Sequence, residues 1–217
     1  MSAVRADWSH RQAAFFDVDE TVVSVKSMRE FLNYFHDTHG DVPLWDEFVG
    51  SLPLNAPREL VNASYYSLWK GLSRREVRVA GQEWFATASR GEGFYIEPVV
   101  AEIDELRAKG FEIVLVSGSF DVVLDPLAKE LHADRVLCSV MTFVGDTYSG
   151  TVARTMIGPA KSDAVLAYCA ERRIDPAECI AFGDHPTDLA MLESVGTGVW
   201  VREGGRTEFH RSSSRIV

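Results

Sequence analysis

The chain has 217 residues, and its 22 Lys and Arg against 32 Asp and Glu give a formal net charge of −10. Because nucleic acids and anionic membranes repel a negative surface, this charge argues against nonspecific binding to either. The 46% of hydrophobic and 25% of charged residues are ordinary for a globular protein, and the length suffices for one α/β domain with an insertion or for two small domains.

Targeting and membrane-spanning patterns are not found in the sequence. Residues 1–12 carry charges and no apolar stretch, which predicts that there is no signal peptide, and no run of about 18 apolar residues occurs that would span a membrane. Cys138, Cys169 and Cys179 lack metal-ligand spacing, and three cysteines without a secretory signal favour a reducing compartment. We therefore expect a cytoplasmic protein whose cysteines fill its core.

The first predicted strand ends in two closely spaced carboxylates. Residues 13–16 are an apolar run, and Asp17 and Asp19 follow it. Side chains two residues apart on an extended chain point the same way, and open α/β sheets bind ligands at the carboxyl ends of their strands. One carboxylate could attack phosphorus while the other handles the proton of the leaving group. The alternative is a strand that ends in a solvated acidic turn.

A block with helical periodicity and no strand pattern follows, over residues 25–93. Ser27 can cap a first helix, residues 55–57 begin a second, and Ser73 with Glu76 has the capping-box spacing that begins a third. This block is expected to be a helical insertion placed over the carboxyl edge of a sheet.

Strands and helices alternate in the rest of the chain, which predicts right-handed βαβ units and a mostly parallel sheet. Gly145 and Gly150 mark a β-hairpin, and the tail from Glu203 is expected to be loosely ordered. The predicted strands are residues 111–116, 136–140, 179–182 and 198–201, and the predicted helices are residues 98–109, 121–131, 161–172 and 188–195.

Two features of this alternating part are suited to binding an anion. Ser117 and Gly118 offer a hydroxyl and a small-residue N–H at the start of a helix, where phosphate can be cradled. A plain turn after a strand is the alternative. Lys161 begins a helix, where a cation is unfavourable to the helix dipole unless an anion lies beside it. An exposed surface lysine is the alternative.

Two more carboxylates follow the predicted strand at residues 179–182. Asp184 comes directly after Gly183, and Asp188 lies at the start of the next helix. Together with Asp17 they supply the oxygen ligands that Mg²⁺ prefers. Asp188 is equally well explained as the N-cap of its helix.

These features, in this order, resemble the four motifs of the haloacid dehalogenase superfamily, and the likeness extends over residues 13–201. The helical block resembles the cap of the phosphoserine-phosphatase-like branch. The resemblance implies an α/β, Rossmann-like, mostly parallel sheet flanked by helices. It also implies a core of residues 1–24 and 94–217 and a helical cap of residues 25–93. The motifs are Asp17-x-Asp19-x-Thr21, Ser117-Gly118, Lys161 and Gly183-Asp184-x-x-x-Asp188.

The resemblance implies roles for the first carboxylates and for a metal. Asp17 would attack phosphorus to give an aspartyl-phosphate, and Asp19 would act as acid and then as base. Mg²⁺ would be held by Asp17, Asp184 and the backbone carbonyl of Asp19.

The resemblance implies phosphate-binding roles for the remaining motif residues. Ser117, the N–H of Gly118 and Lys161 would bind phosphoryl oxygens. Asp188 would orient Lys161 or the waters on the metal.

Two positions depart from the pattern of phosphoserine phosphatases, which resemble one another in an acidic residue about nine positions after the nucleophile. Here that position is Lys26, which would repel a substrate ammonium; a solvated side chain at the hinge of the cap is the alternative. Glu20 stands where small residues are common, and we expect it to face away from phosphate.

We therefore predict a Mg²⁺-dependent phosphatase for a small metabolite, a sugar, polyol or acid phosphate rather than phosphoserine. A phosphotransferase that passes the phosphoryl group to an alcohol is the first alternative. A non-catalytic binding protein is a remote one, because it predicts loss of Asp17 or Asp19 and both are present. The sequence gives no indication of oligomeric state.

Overall fold

A computed structural model of the chain describes residues 11–210. The predicted absence of a signal peptide therefore falls mostly on residues outside the described range, as does the end of the predicted tail, residues 211–217. Between residues 11 and 210, no helix is long and apolar enough to cross a membrane.

The described residues form one seven-stranded sheet, with strand order β4-β3-β2-β1-β5-β6-β7. The strands are β1 (Gln12–Phe16), β2 (Phe111–Phe120), β3 (Arg135–Val144), β4 (Thr147–Arg154), β5 (Ile180–Gly183), β6 (Thr197–Arg202) and β7 (Arg206–His210).

Eight α-helices are present in the same part of the chain, five of them between β1 and β2. The helices are α1 (Ser27–His39), α2 (Trp45–Gly50), α3 (Arg58–Ser67), α4 (Arg74–Ala88), α5 (Glu97–Ala108), α6 (Asp121–Glu130), α7 (Pro159–Arg172) and α8 (Leu189–Glu193).

The five inner strands are parallel, and the two edge strands β4 and β7 are antiparallel to their neighbours. This confirms the predicted fold class. Strand β1 is central, with β2 on one side and β5 on the other. The strands that follow β1 in the chain, β2 to β4, extend the sheet on one side of β1, and β5 to β7 extend it on the other side. The strand order therefore reverses at β1. Open sheets bind ligands at the carboxyl ends of the strands at such a point.

Strand β1 separates two hydrophobic clusters because its side chains alternate. Ala13 and Phe15 pack with α7 and α8, whereas Ala14 and Phe16 lie in the cluster that holds the helices between β1 and β2 and α6. All four side chains are fully buried. Asp17 continues the row that faces α7, which explains why its carboxylate meets a side chain of that helix.

The helical segment (residues 25–93) is built around an aromatic cluster. Phe31, Tyr65 and Trp69 of this segment are fully buried together with Phe120 at the end of β2. The rings of Phe31 and Trp69 stack at 5.2 Å, and those of Trp69 and Phe120 lie 5.7 Å apart. These contacts hold the segment against the carboxyl edge of the sheet.

A second contact joins the helical segment to strand β4. The N–H of Tyr148 donates to the carbonyl of Leu72 at 3.0 Å, and the N–H of Gly71 donates to the carbonyl of Tyr148 at 2.8 Å. Gly150, which we expect at a hairpin turn, lies inside β4 with φ of 82°. A Cβ at this position would lie 2.7 Å from the Cβ of Lys70, so the glycine permits the close approach.

The structure corrects three local predictions. The tail from Glu203 is not loose throughout, because β7 pairs with β6 along its whole length. The prediction was wrong because β7 is exposed and shows no apolar alternation; Phe209, for example, is 78% exposed. The short helix α2 was not predicted at all. Ser27 is the first residue of α1 rather than its cap, which is Lys26.

The cysteines occupy apolar surroundings, as expected. Cys169 and Cys179 are buried in the cluster under α7 and α8, and Cys138 packs on the opposite cluster.

Candidate active site

The predicted site residues meet at the carboxyl edge of the sheet. Asp17 follows β1, Ser117 and Gly118 lie near the end of β2, and Asp184 follows β5. Strand β2 continues to Phe120 instead of ending before Ser117, and its pairing with β3 shifts register between Ser117 and Phe120. That irregularity leaves the backbone of this stretch outside the regular ladder.

Lys161 bridges two carboxylates in the interior. Its Nζ lies 2.5 Å from Oδ1 of Asp17 and 2.6 Å from Oδ1 of Asp188. Lys161 is only 3% exposed, so the alternative of a surface lysine is wrong. Burial lowers the pKa of the ammonium, but the two carboxylates outweigh it and raise that pKa above its usual value. Lys161 is therefore a fixed cation beside Asp17.

A third carboxylate completes an acidic cluster. Carboxylate oxygens of Asp17, Asp184 and Asp188 lie within 4.8 Å of one another. Thr21 Oγ1 donates to Oδ1 of Asp184 at 3.0 Å. Because Lys161 supplies one positive charge against three carboxylates, the cluster retains an excess of negative charge. Oxygen donors with excess negative charge fit a hard divalent cation such as Mg²⁺.

Burial sets the protonation of Asp17. It raises the pKa of that carboxyl well above its ordinary value; Lys161 opposes this rise, and the charges of Asp188 and Asp184 add to it. A cation bound to the cluster would lower the pKa of Asp17 again, because it would stabilise the ionised form of this carboxyl group.

Asp19 lies at the same edge of the sheet, and the pKa of its carboxyl group is raised. Burial raises its pKa to about 6, although the neighbouring Ser27 and the charges of Lys161 and Arg58 favour the ionised form. Its Oδ1 is shielded from solvent and makes no hydrogen bond to any residue between 11 and 210. A carboxyl group with this pKa can both give and take a proton near neutral pH.

The stretch from Ser117 to Ser119 presents polar groups to the site. The N–H of Ser119 donates to Oγ of Ser117 at 3.1 Å, and both side chains are buried. A Cβ on Gly118 would lie 3.2 Å from Cγ1 of Ile157, so a larger residue would press on this neighbour. The glycine keeps the backbone accessible in a crowded place.

Asp17, Asp19, Ser117, Gly118 and Lys161 line a pocket of about 320 Å³ together with residues of the helical segment. The sheet side of this pocket carries Asp17, Asp19 and Lys161, whereas the wall from the helical segment carries three cations beside apolar side chains. The wall residues include Lys26, Met28, Arg29, Trp45, Arg58, Val61 and Asn62.

Lys26 and Glu20 form an ion pair at the rim of this pocket. Nζ of Lys26 lies 3.4 Å from Oε2 of Glu20, and the two side chains are 59% and 47% exposed. Both residues line the pocket, and Glu20 also lines a neighbouring groove of about 720 Å³. Glu20 therefore does not turn away from the pocket. The role of Lys26 stays a prediction, since its side chain is largely solvated as well as facing the pocket.

A sequence profile of the haloacid dehalogenase-like hydrolases matches residues 14–193, which is most of the chain. The chain belongs to the haloacid dehalogenase-like hydrolase family. The predicted resemblance is thereby confirmed.

Curated relatives of this hydrolase include proteins named for two different roles. It is 29% identical over 201 residues to the "Inhibition of morphological differentiation protein" of Streptomyces azureus, covering 86% of this chain and 70% of that protein. It is 26% identical to phosphoserine phosphatase SerB2 of Mycobacterium tuberculosis, covering 88% of this chain and 44% of that protein. It is 31% identical over 98 residues to the phosphoserine phosphatase of Lactococcus lactis, covering 45% of each chain.

Solved structures share the fold of this hydrolase. A protein of unknown function from Bordetella pertussis Tohama I superposes with a TM-score of 0.75 at 16% identity, covering 88% of this chain and 89% of that one. A substrate-bound phosphoserine phosphatase superposes with a TM-score of 0.62 at 19% identity, covering 87% and 85%. These superpositions show the shared fold, and the curated phosphoserine phosphatases matched in sequence support the predicted phosphoserine-phosphatase-like branch.

Sequence reasoning missed two pocket residues of this haloacid dehalogenase-family chain. Arg58 begins α3, where a cation is unfavourable to the helix dipole. The same signal that drew attention to Lys161 could have identified it. Asn62 lies one turn later and is 5% exposed. Nothing in its local sequence indicates that this polar side chain is buried at the site.

Proposed function

We propose that this protein is a Mg²⁺-dependent phosphatase that hydrolyses a phosphomonoester of a small metabolite through an aspartyl-phosphate. The observation that carries the proposal is the contact of Lys161, which lines the pocket with Asp17, with both Asp17 and Asp188. In this proposal Asp17 is the carboxylate nucleophile, and Lys161 is the fixed cation that would bind a phosphoryl oxygen beside it.

Asp17 and Asp19 divide the chemistry in this proposal. A carboxylate oxygen of Asp17 attacks phosphorus, the ester P–O bond breaks, and the carboxyl of Asp19 protonates the leaving oxygen. Water then attacks the phosphorus of the aspartyl-phosphate and loses its proton to Asp19. The bond to Asp17 breaks and phosphate leaves. The raised pKa of Asp19, about 6, suits a group that alternates between acid and base.

Other residues of the chain stabilise charge on the phosphoryl group. Lys161, the hydroxyl of Ser117 and the N–H of Gly118 donate to its oxygens. Asp188 holds Lys161 in place through the 2.6 Å contact.

Asp17, Asp184 and the backbone carbonyl of Asp19 are the proposed ligands of Mg²⁺. The ion, when bound, would supply positive charge that offsets the repulsion between a carboxylate and a phosphate ester.

The helical segment supplies specificity in this proposal. It acts as a cap (residues 25–93) over a core of residues 1–24 and 94–217, and it excludes bulk water from the pocket. Lys26, Arg29 and Arg58 line its wall, so the pocket disfavours a substrate ammonium. Although several relatives are named phosphoserine phosphatase, we therefore propose a sugar, polyol or acid phosphate as the substrate and a cytoplasmic location.

Phosphate release from a panel of phosphorylated sugars, polyols, acids and amino acids tests the proposal. We expect turnover with Mg²⁺, loss of turnover with a chelator, and no turnover by Asp17→Asn. The phosphotransferase alternative predicts a phosphorylated alcohol when acceptors are added. A wild-type protein that binds phosphate tightly but never turns over would support the binding-protein alternative.

A further inference from the structure

The carbonyl oxygen of Gly118 accepts three side-chain hydrogen bonds. Tyr66 donates its hydroxyl at 2.6 Å, Ser139 donates its hydroxyl at 2.8 Å, and Asn62 donates its amide at 3.2 Å. Ser139 belongs to β3, whereas Asn62 and Tyr66 belong to α3 of the helical segment. Most buried carbonyls are satisfied by one or two donors, so this oxygen is held unusually firmly.

The two donors from α3 are deeply buried. Asn62 is 5% exposed and Tyr66 is fully buried. Burial raises the pKa of the Tyr66 phenol, which therefore stays neutral and keeps its proton. Both side chains reach into the carboxyl edge of the sheet, and Asn62 lines the pocket itself.

The same peptide unit acts on Ser117 through its other end. The carbonyl of Gly118 and the N–H of Ser119 belong to one planar unit. That N–H donates to Oγ of Ser117 at 3.1 Å. Because the oxygen of Ser117 accepts this bond, its hydroxyl proton remains free to be donated elsewhere. Donors on the carbonyl polarise the peptide and strengthen the N–H as a donor.

We propose that Asn62 and Tyr66 are positioning residues that fix the Gly118–Ser119 peptide so that Ser117 directs its hydroxyl proton to a phosphoryl group. This inference rests on the proposed function, because it takes Ser117 as a phosphate ligand. It adds a link between the two parts of the molecule: the donors lie on the helical segment and the acceptor lies in the sheet. Packing of α3 and order of the phosphate-binding stretch are therefore coupled.

Tyr66→Phe tests the proposal, with Tyr65→Phe as the matched control. Both tyrosines lie in α3 and are fully buried. Between residues 11 and 210, the Tyr65 hydroxyl makes no hydrogen bond to Gly118. The probes are inorganic phosphate, titrated calorimetrically with Mg²⁺ present, and p-nitrophenyl phosphate for turnover. We expect Tyr66→Phe to weaken phosphate binding about three- to tenfold, and Tyr65→Phe to change it less than about twofold. Equal effects of the two variants would overturn the proposal.

A double-mutant cycle with Ser117→Ala separates positioning from simple packing. If Tyr66 acts through Ser117, its substitution has little further effect, less than about twofold, once the Ser117 hydroxyl is gone. A full and additive loss in the Ser117→Ala background would contradict the proposal. Asn62→Ala removes the second donor from α3 and is tested by the same measurements. It decides the question if Tyr66→Phe folds poorly.

The wild-type protein separates the two possible failures. If it neither binds phosphate nor turns over p-nitrophenyl phosphate with Mg²⁺, the proposed function and this inference fall together. If it does both, and the Tyr66 and Asn62 variants match Tyr65→Phe, only the inference fails.

Discussion

The ammonium of Lys161 lies 2.5 Å from Oδ1 of Asp17, in the interior between α7 and the central strand. The two residues are 144 positions apart in the chain, and they are brought together because the start of α7 faces the carboxyl end of β1. Lys161 is shared between Asp17 and Asp188, so one cation faces the three carboxylates of the cluster and an excess of negative charge remains.

Removal of this cation should destabilise the protein. In Lys161→Met, Asp17 and Asp188 lose the partner that compensates their burial, and breaking a buried ion pair costs about 3 kcal/mol or more. Urea unfolding in the presence of a chelator measures this difference. Lys109→Met is the control, because its ammonium is 59% exposed in the ion pair with Glu105, and we expect a change below about 0.5 kcal/mol. A loss of less than about 1 kcal/mol in Lys161→Met would contradict the account.

Magnesium should stabilise the folded protein through the acidic cluster. A ligand at a hundred times its dissociation constant adds about 2.7 kcal/mol to the free energy of unfolding. We therefore expect a higher midpoint of thermal unfolding with Mg²⁺ than with a chelator, and we expect Asp184→Asn to abolish the shift. Asp163→Asn, on the outer face of α7, is the control and should keep it. An undiminished shift in Asp184→Asn would place the ion elsewhere.

Charge reversal at the pocket rim should change substrate preference. Lys26→Glu replaces a cation that faces the pocket with an anion. We expect the ratio of kcat/KM for phosphoserine to that for an acid phosphate to rise about tenfold, equivalent to about 1.4 kcal/mol. Lys109→Glu, at the C-terminal cap of α5 and not among the pocket residues, serves as the control for a change of net charge. An unchanged ratio in Lys26→Glu would favour the alternative that this lysine is a solvated side chain without contact to the substrate.

An ion pair between the start of β2 and the end of α7 should make stability depend on pH. Glu112 accepts hydrogen bonds from Arg172 at 2.6 Å and 3.1 Å and from Tyr168 at 2.5 Å. Burial raises the pKa of Glu112, but these partners outweigh it and hold that pKa below the usual 4.5. Because the folded-state pKa is lowered, the stabilisation is present above about pH 4.5 and is lost as the pH falls through the folded value.

Glu112→Gln should therefore lower the free energy of unfolding by about 1 kcal/mol at pH 7 and by less at pH 4. Urea unfolding at the two pH values gives the comparison. Glu105→Gln, whose carboxylate is 66% exposed, is the control, and we expect no such dependence. The account would be wrong if the difference for Glu112→Gln grew on acidification.

The alternation of strands and helices predicted the sheet correctly because each element buries an apolar face with its own periodicity. Strand β7 and helix α2 lack that signal. The side chains of β7 are largely exposed, and its place is set by backbone pairing with β6. Helix α2 is a single short stretch with one buried residue, Phe48, so its periodicity is too brief to recognise.

The site was predictable where its residues follow parallel strands, since the carboxyl ends of such strands share one edge. That rule placed Asp17, Ser117 and Asp184 together. Contacts made across the fold were not predictable. The hydrogen bonds of Asn62 and Tyr66 to Gly118 join residues 56 and 52 positions apart, and nothing in the local sequence around α3 indicates them.

The central claim is that Asp17 becomes phosphorylated, and trapping that species tests it most directly. Asp19→Asn should still form the aspartyl-phosphate from p-nitrophenyl phosphate, whose leaving group needs no proton, but should hydrolyse it slowly. Acid quenching followed by mass spectrometry of peptides would locate the phosphoryl group. The account predicts a phosphoryl group on Asp17 in Asp19→Asn and none in Asp17→Asn. Turnover by the wild type with no adduct in Asp19→Asn, or an adduct on another residue, would contradict it.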